Sequence, residues 1–278
     1  MAVFFITLPP VELDEELLRA IHEAKVLTEK FQKITAKLQD IISDIAGVTI
    51  RFQECSFPYC LPRYDTKREI YYAPLDTSVL SDMFMAFATI CLEPDRAKQA
   101  GVPVGLFKVF ARMAVSVYVF YYPFDLTSTI VRLIASLSDK LYNTLDKMSR
   151  YDKYLAIRST DIISANMDTI LTDTAYYAEK INQAVEKCLP PQEEIQHIFD
   201  EACKCNLQDL LNALQETVQC TISNLDLTRR YKTLTEAFTN MLPAIKAIIR
   251  LLQKYGIDIT KEQKLLLQLE EKAKQYKI

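Results

Sequence analysis

The sequence predicts a mainly α protein, an elongated antiparallel helical bundle with heptad seams and a small β-hairpin. Three observations predict it. Apolar residues at Leu17, Ala20, Ala24, Leu27, Phe31, Ile34, Leu38, Ile41 and Ile45 step by three and four without an error, the spacing of a helix with a buried seam. Comparable spacings recur through the second half of the chain. Glycine is scarce, 4 in 278 residues, which leaves little of the turn chemistry that many-stranded folds need.

Residues 2–7 (Ala-Val-Phe-Phe-Ile-Thr) lean towards β structure and stop at Pro9 and Pro10; they are expected to join the hairpin. Glu12, Asp14, Glu15 and Glu16 then precede the first helix, where unpaired N–H groups and the helix dipole favour carboxylates. That helix is expected to end at Ala46, with Gly47 as its left-handed terminator. Ile21 and Ile42 widen its apolar face, so it reads as one member of an intramolecular bundle. Its expected packing partners are the segments Ile163–Cys188 and Leu207–Leu225. From Val48 the period changes to two. Val48, Ile50 and Phe52 alternate with Thr49, Arg51 and Gln53, and Arg68 to Tyr72 offers a second strand. The expectation is a β-hairpin over about residues 48–73. It would be an appendage at about 47–75 on a single helical domain spanning 1–278, with subdivision near 93–105 or 149–159.

Leu80 to Leu92 is apolar on nearly every face and reads as a buried central helix. Glu93 to Gly105, with two glycines and two prolines, reads as a loop. Leu106 to Tyr122 is the most hydrophobic run, closed by Pro123. Lys108 and Arg112 would share one face of it. As a membrane span, each cation would cost about 2.5–3.5 kcal/mol, against a return of roughly 0.3–0.6 kcal/mol per Leu, Val or Phe. The sum is near balance, so a core helix with a polar edge is the reading and lipid contact the alternative. The aromatic residues Tyr118, Phe120, Tyr121, Tyr122 and Phe124 would suit a subunit interface or a membrane contact.

Further helices follow. Ile130, Ile134, Leu137, Leu141, Leu145 and Met148 mark one. Ile163, Met167, Ile170, Thr174, Tyr177, Ile181, Ala184 and Cys188 mark another, from about Thr160. Pro190 and Pro191 end it and start the next, which buries Ile195, Phe199 and Ala202 and then slips phase near Cys203–Cys205, as at a kink. Leu234 to Leu252 contains Pro243 as a break or a new start. Gly256 is a terminator, and Thr260 with Gln263 forms a capping-box signature.

The chemistry-bearing motifs are sparse. Glycine only at 47, 101, 105 and 256 permits neither a Walker A loop nor a dinucleotide fingerprint. HExxH and GxSxG are absent as well. His197 follows Glu194 by three residues, as in dimetal bundles, but a second such motif is missing; both His197 and His22 read as surface residues. His197 with Cys203 or Cys205 does not make four converging zinc ligands. No catalytic residue, cofactor or metal is therefore expected. The net charge is −3, and the densest basic groups, Arg63–Lys67–Arg68 and Arg229–Arg230–Lys232, are short and interrupted. They read as solvated faces and make nucleic acid an unlikely partner. Seven cysteines, an odd count without a recognisable secretory signal, point to free thiols in a reducing compartment. Cys55 and Cys60 are the one pair placed to bond across the hairpin.

The functional expectation is a non-enzymatic structural or assembly protein, intracellular or in a virion, working by self-association into a homo-oligomer or by binding another protein. A virion, coat or scaffold component fits. A membrane-associated protein using 106–122 is the alternative, and an unrecognised helical metal protein or enzyme a further one.

Overall fold

The computed structural model describes residues 15–56, 60, 62–65, 67–121 and 126–275. The chain is mainly α, as the patterning predicts. Its long opening helix α1 (Glu15–Ala46) is closed by Gly47 at φ 66°. Three short strands follow, β1 (Thr49–Cys55), β2 (Arg63–Asp65) and β3 (Ile70–Asp76). Then come α2 (Thr77–Leu92), α3 (Pro94–Gln99), α4 (Val102–Ser116) with a π-helical turn over Val117–Tyr121, and α5 (Leu126–Tyr142). The rest is α6 (Arg150–Cys188), α7 (Gln192–Cys203), α8 (Gln208–Ser223), α9 (Leu227–Lys254) and α10 (Thr260–Gln275).

The buried side chains form two cores. The first takes the Leu27–Ala46 part of α1, the sheet, α2, α4, the end of α6, α7 and α8. The second takes α5, the first half of α6, α9 and α10. Both cores share α6, whose 39 residues make a spine roughly 58 Å long. Its seam of Ile163, Ile170, Tyr177, Ile181 and Ala184 is buried throughout. The extensive α6–α9 packing builds the second core, while α4 lies against both α6 and α8 in the first. As a result α1 packs on α8 as expected but makes no substantial contact with α6, the other expected partner.

The strands correct the expected hairpin. β1 and β3 do pair, but in parallel, with Thr49 opposite Ile70 and Cys55 opposite Asp76. β2 adds to the other edge of β3 in antiparallel register, Arg63 opposite Tyr72, giving the order β1-β3-β2. The tight turn belongs to β2 and β3: Asp65 Oδ1 accepts from the Lys67 and Arg68 amides at 3.0 and 3.2 Å. A period of two reveals a strand's faces and not its direction. Residues 2–7, expected to join this sheet, lie outside the described residues.

Other expectations shift for local reasons. Glu93–Gly105 is not a loop, because Pro94 and Pro103 each occupy the first turn of a helix, where a missing N–H costs nothing. Gly101 at φ 68° links the two helices. α2 buries Met83, Phe87 and Ile90 but leaves Met85 and Leu92 well exposed, so it flanks the core and does not fill its centre. The central place goes to α4, through Leu106, Phe107, Phe110, Ala111, Ala114 and Val115. Its polar edge is matched by Glu186 on α6, which accepts from Lys108 at 2.7 Å and Arg112 at 3.0 Å. One described helix, Val102–Phe120, is long and apolar enough to cross a membrane, and half of it is buried among the other helices.

The phase slip near Cys203–Cys205 is a full break, with Cys205 at φ 73° between α7 and α8. Pro243 breaks nothing, since α9 runs through it. The α10 cap comes from Asp258, whose Oδ1 accepts from the Thr260 amide at 3.0 Å and hydroxyl at 2.7 Å.

Candidate functional site

The seam of α1 is covered only from Leu27 onward. Phe31 meets the Phe84 ring edge-on at 5.6 Å, and the Lys30 ammonium donates to the Cys203 carbonyl. Before that point, Glu15 to Lys25 has no buried side chain. Leu17, Leu18 and Ile21 stand 47, 48 and 52% exposed, in line with the seam that the body buries further along. Three helical turns, roughly 16 Å, thus project with an apolar stripe and with Glu15, Glu16, Arg19, Glu23 and Lys25 around it. The sequence marked Leu17 by its spacing and Ile21 as widening the same face, but not Leu18. It did not show where the covering elements stop.

The aromatic run proposed as an interface sits differently. Tyr118 and Phe120 are half-buried and pack against the first core, with Val119 fully enclosed between them. Tyr121 is the last residue of the π-helical turn; Tyr122 and Phe124 lie outside the described residues. The Phe120 ring lies 5.0 Å from the guanidinium of Arg230. Arg230 was expected on a solvated face, yet it is fully buried. It contacts the Asp173 carboxylate of α6, donates to Thr127 Oγ1 of α5 at 2.8 Å and faces the Tyr177 ring at 5.4 Å. The Tyr177 hydroxyl donates to the Asp226 carbonyl. Burial pushes the Asp173 carboxyl above its ordinary value even though Arg230 pulls it down. Burial likewise raises the Tyr177 phenol. This junction joins α5, α6, α9 and the π-helical turn, where the two cores meet.

A second polar cluster pins the start of α6 to the end of α9. The Asp152 carboxylate accepts from Lys254 at 2.8 Å, from the Tyr255 hydroxyl at 2.6 Å and from the Ser149 hydroxyl at 2.8 Å. Those hydrogen bonds, the one from Lys254 foremost, hold its pKa down to about 2. A depressed carboxylate stabilises the fold above its unfolded-state value, about 4, and that contribution disappears as the pH falls through about 2. The melting temperature of the wild type should therefore exceed that of Asp152→Asn most at neutral pH, with the gap closing towards about pH 2. Thermal unfolding followed by circular dichroism across this range checks it; a gap that does not change with pH rules the linkage out.

Glu194 and His197 are exposed, and no group of three or more His, Cys, Asp and Glu among the described residues is arranged to hold a metal ion. The cysteines overturn the free-thiol expectation. Cys55 is bonded to Cys60, Cys91 to Cys203 and Cys188 to Cys220, leaving Cys205 as an exposed thiol. Two of these pairs join helices that are remote in sequence, which spacing alone does not reveal. Comparisons with protein-family models, with curated proteins and with solved structures return no significant match.

Proposed function

We propose that the protein is a non-enzymatic helical assembly protein, and that its copies associate through the projecting first turns of α1. The observation that carries this reading is the uncovered stripe of Leu17, Leu18 and Ile21, continuous with a seam that is fully packed from Leu27. A second copy is the occupant that fits. Its own projecting turns carry the same three-and-four spacing, like faces pair about a two-fold axis, and Ala20 and Ala24 let two helices approach closely. The three disulfides support assembly in an oxidising setting, in place of the reducing one first expected. Coat or scaffold work would suit such a chain.

The stripe is short and already half-covered by its own helix, so association should be weak, with a dissociation constant of about 0.1–1 mM for a single pair of copies. Sedimentation equilibrium over that concentration range should show reversible self-association of the wild type. Leu17→Glu combined with Ile21→Glu should leave a monomer with an unchanged melting temperature, since neither side chain is buried. A wild type that stays monomeric throughout would sink the proposal.

A further inference from the structure

We infer that the groove between α6 and the turn joining α8 to α9 binds a small doubly charged anion, a phosphate ester or a dicarboxylate. The groove holds about 310 Å³ and is lined by Tyr176, Lys180, Lys187, Asn224, Asp226 and Arg229, among others. That volume suits a small polar molecule.

Its charges are unbalanced by construction. Lys180 and Arg229 are both held over the Tyr176 ring, at 5.4 and 5.3 Å from its centroid, and Lys187 stands about two helical turns along the same face of α6 from Lys180. No carboxylate among the described residues lies within ion-pair distance of any of the three. Asp226, the one acid in the lining, is engaged in capping α9: its Oδ1 accepts from the Arg229 amide at 3.0 Å. The neighbouring Asp173 is paired with Arg230 and attracts Arg229 only from beyond ion-pair distance. The other polar groups do not compensate. Lys180 donates only to the neutral Gln183 Oε1, at 3.2 Å, and the Asn224 amide is turned towards the Cys220 carbonyl at 2.9 Å.

Three cations held together on a chain of net charge −3 make a local positive field, and a dianion would satisfy it with charge-assisted hydrogen bonds. The Tyr176 ring restricts two of the cations beforehand, so little order has to be imposed on binding. The site is too small and too local for a nucleic-acid track, in keeping with the scattered basic residues elsewhere.

The test is isothermal titration of the disulfide-intact 278-residue chain at about 50 mM salt, where surface electrostatics are weakly screened. Inorganic phosphate, a dianion in mildly alkaline buffer, is titrated in one arm and succinate in the other. Saturable binding of either supports the site, and the arm that binds identifies phosphate or carboxylate as the recognised group. Lys180→Gln with Arg229→Gln should weaken that binding at least about tenfold, and Lys187→Gln, an exposed change that leaves Tyr176 untouched, by a smaller factor. Melting of the ligand-free variants reports whether they fold. Absence of binding in both arms overturns the inference, as does a folded double variant that binds as tightly as the wild type.

Discussion

Replacing Arg230 by methionine should lower the melting temperature by about 10 °C at neutral pH. Arg230 is the largest fully buried side chain among the described residues, and removing one partner of a buried ion pair costs about 3–5 kcal/mol. In a protein of this size each kcal/mol shifts the midpoint by about 2–4 °C. Methionine keeps much of the volume, so the loss is mainly electrostatic. It leaves Asp173 in a place that already pushes its carboxyl above the ordinary value. Without that guanidinium only the weaker attraction of Arg229 still opposes the upward push. A carboxyl with a raised folded-state pKa contributes stability below its unfolded value and loses it as the pH rises through the folded one. The Arg230→Met variant should therefore recover part of its deficit as the pH is lowered from about 7 towards about 4.

The reciprocal change should be worse. Asp173→Leu takes the carboxylate away from a buried guanidinium that cannot shed its proton, with Thr127 and the faces of Phe120 and Tyr177 among its neighbours. Combining the two changes removes both charges and should restore most of the loss, as apolar replacements of buried pairs commonly do. Scanning calorimetry of the three variants is decisive. If Arg230→Met melts within about 2 °C of the wild type, the pair does not hold the two cores together.

That the junction escaped the sequence reading has a physical reason. Arg229–Arg230–Lys232 looks polar as a run, but one helical turn before Leu234 on the buried face of α9 falls Arg230. Extending the Leu234–Leu252 seam back by four residues would have placed it inside. Helix content was legible because spacing such as Ile163, Ile170 and Tyr177 is a local property, and all three are buried. Long-range geometry was not. The alternation of Ile50 and Phe52 is the same for a parallel or an antiparallel strand, and Leu17 differs from Leu27 only in what happens to lie beside it. Leu17 and Ile21 could be named from the sequence as part of an apolar face, but Leu18 could not, and the exposure of all three depends on what packs beside them.

Cysteine pairing is non-local in the same way, and it carries the second large effect. In the chain-entropy account, a cross-link stabilises by shrinking the unfolded ensemble, and the gain grows with the loop it closes. Cys91–Cys203 spans 112 residues, Cys188–Cys220 spans 32 and Cys55–Cys60 spans 5. The corresponding gains are about 5, 4 and 2 kcal/mol. Cys91 sits near the end of α2 and Cys203 ends α7, so their bond also clamps two helices of the first core to each other. Changing both to alanine should lower the melting temperature by about 10 °C or more. Changing Cys55 and Cys60 should cost less than half as much. Both members of each pair must be replaced, because a lone Cys91 or Cys203 thiol could pair with Cys205 and mask the loss. If removing the Cys55–Cys60 bond proves as costly as removing Cys91–Cys203, loop closure is not what these cross-links contribute. The stabilisation would then reside in the native contacts around each sulfur.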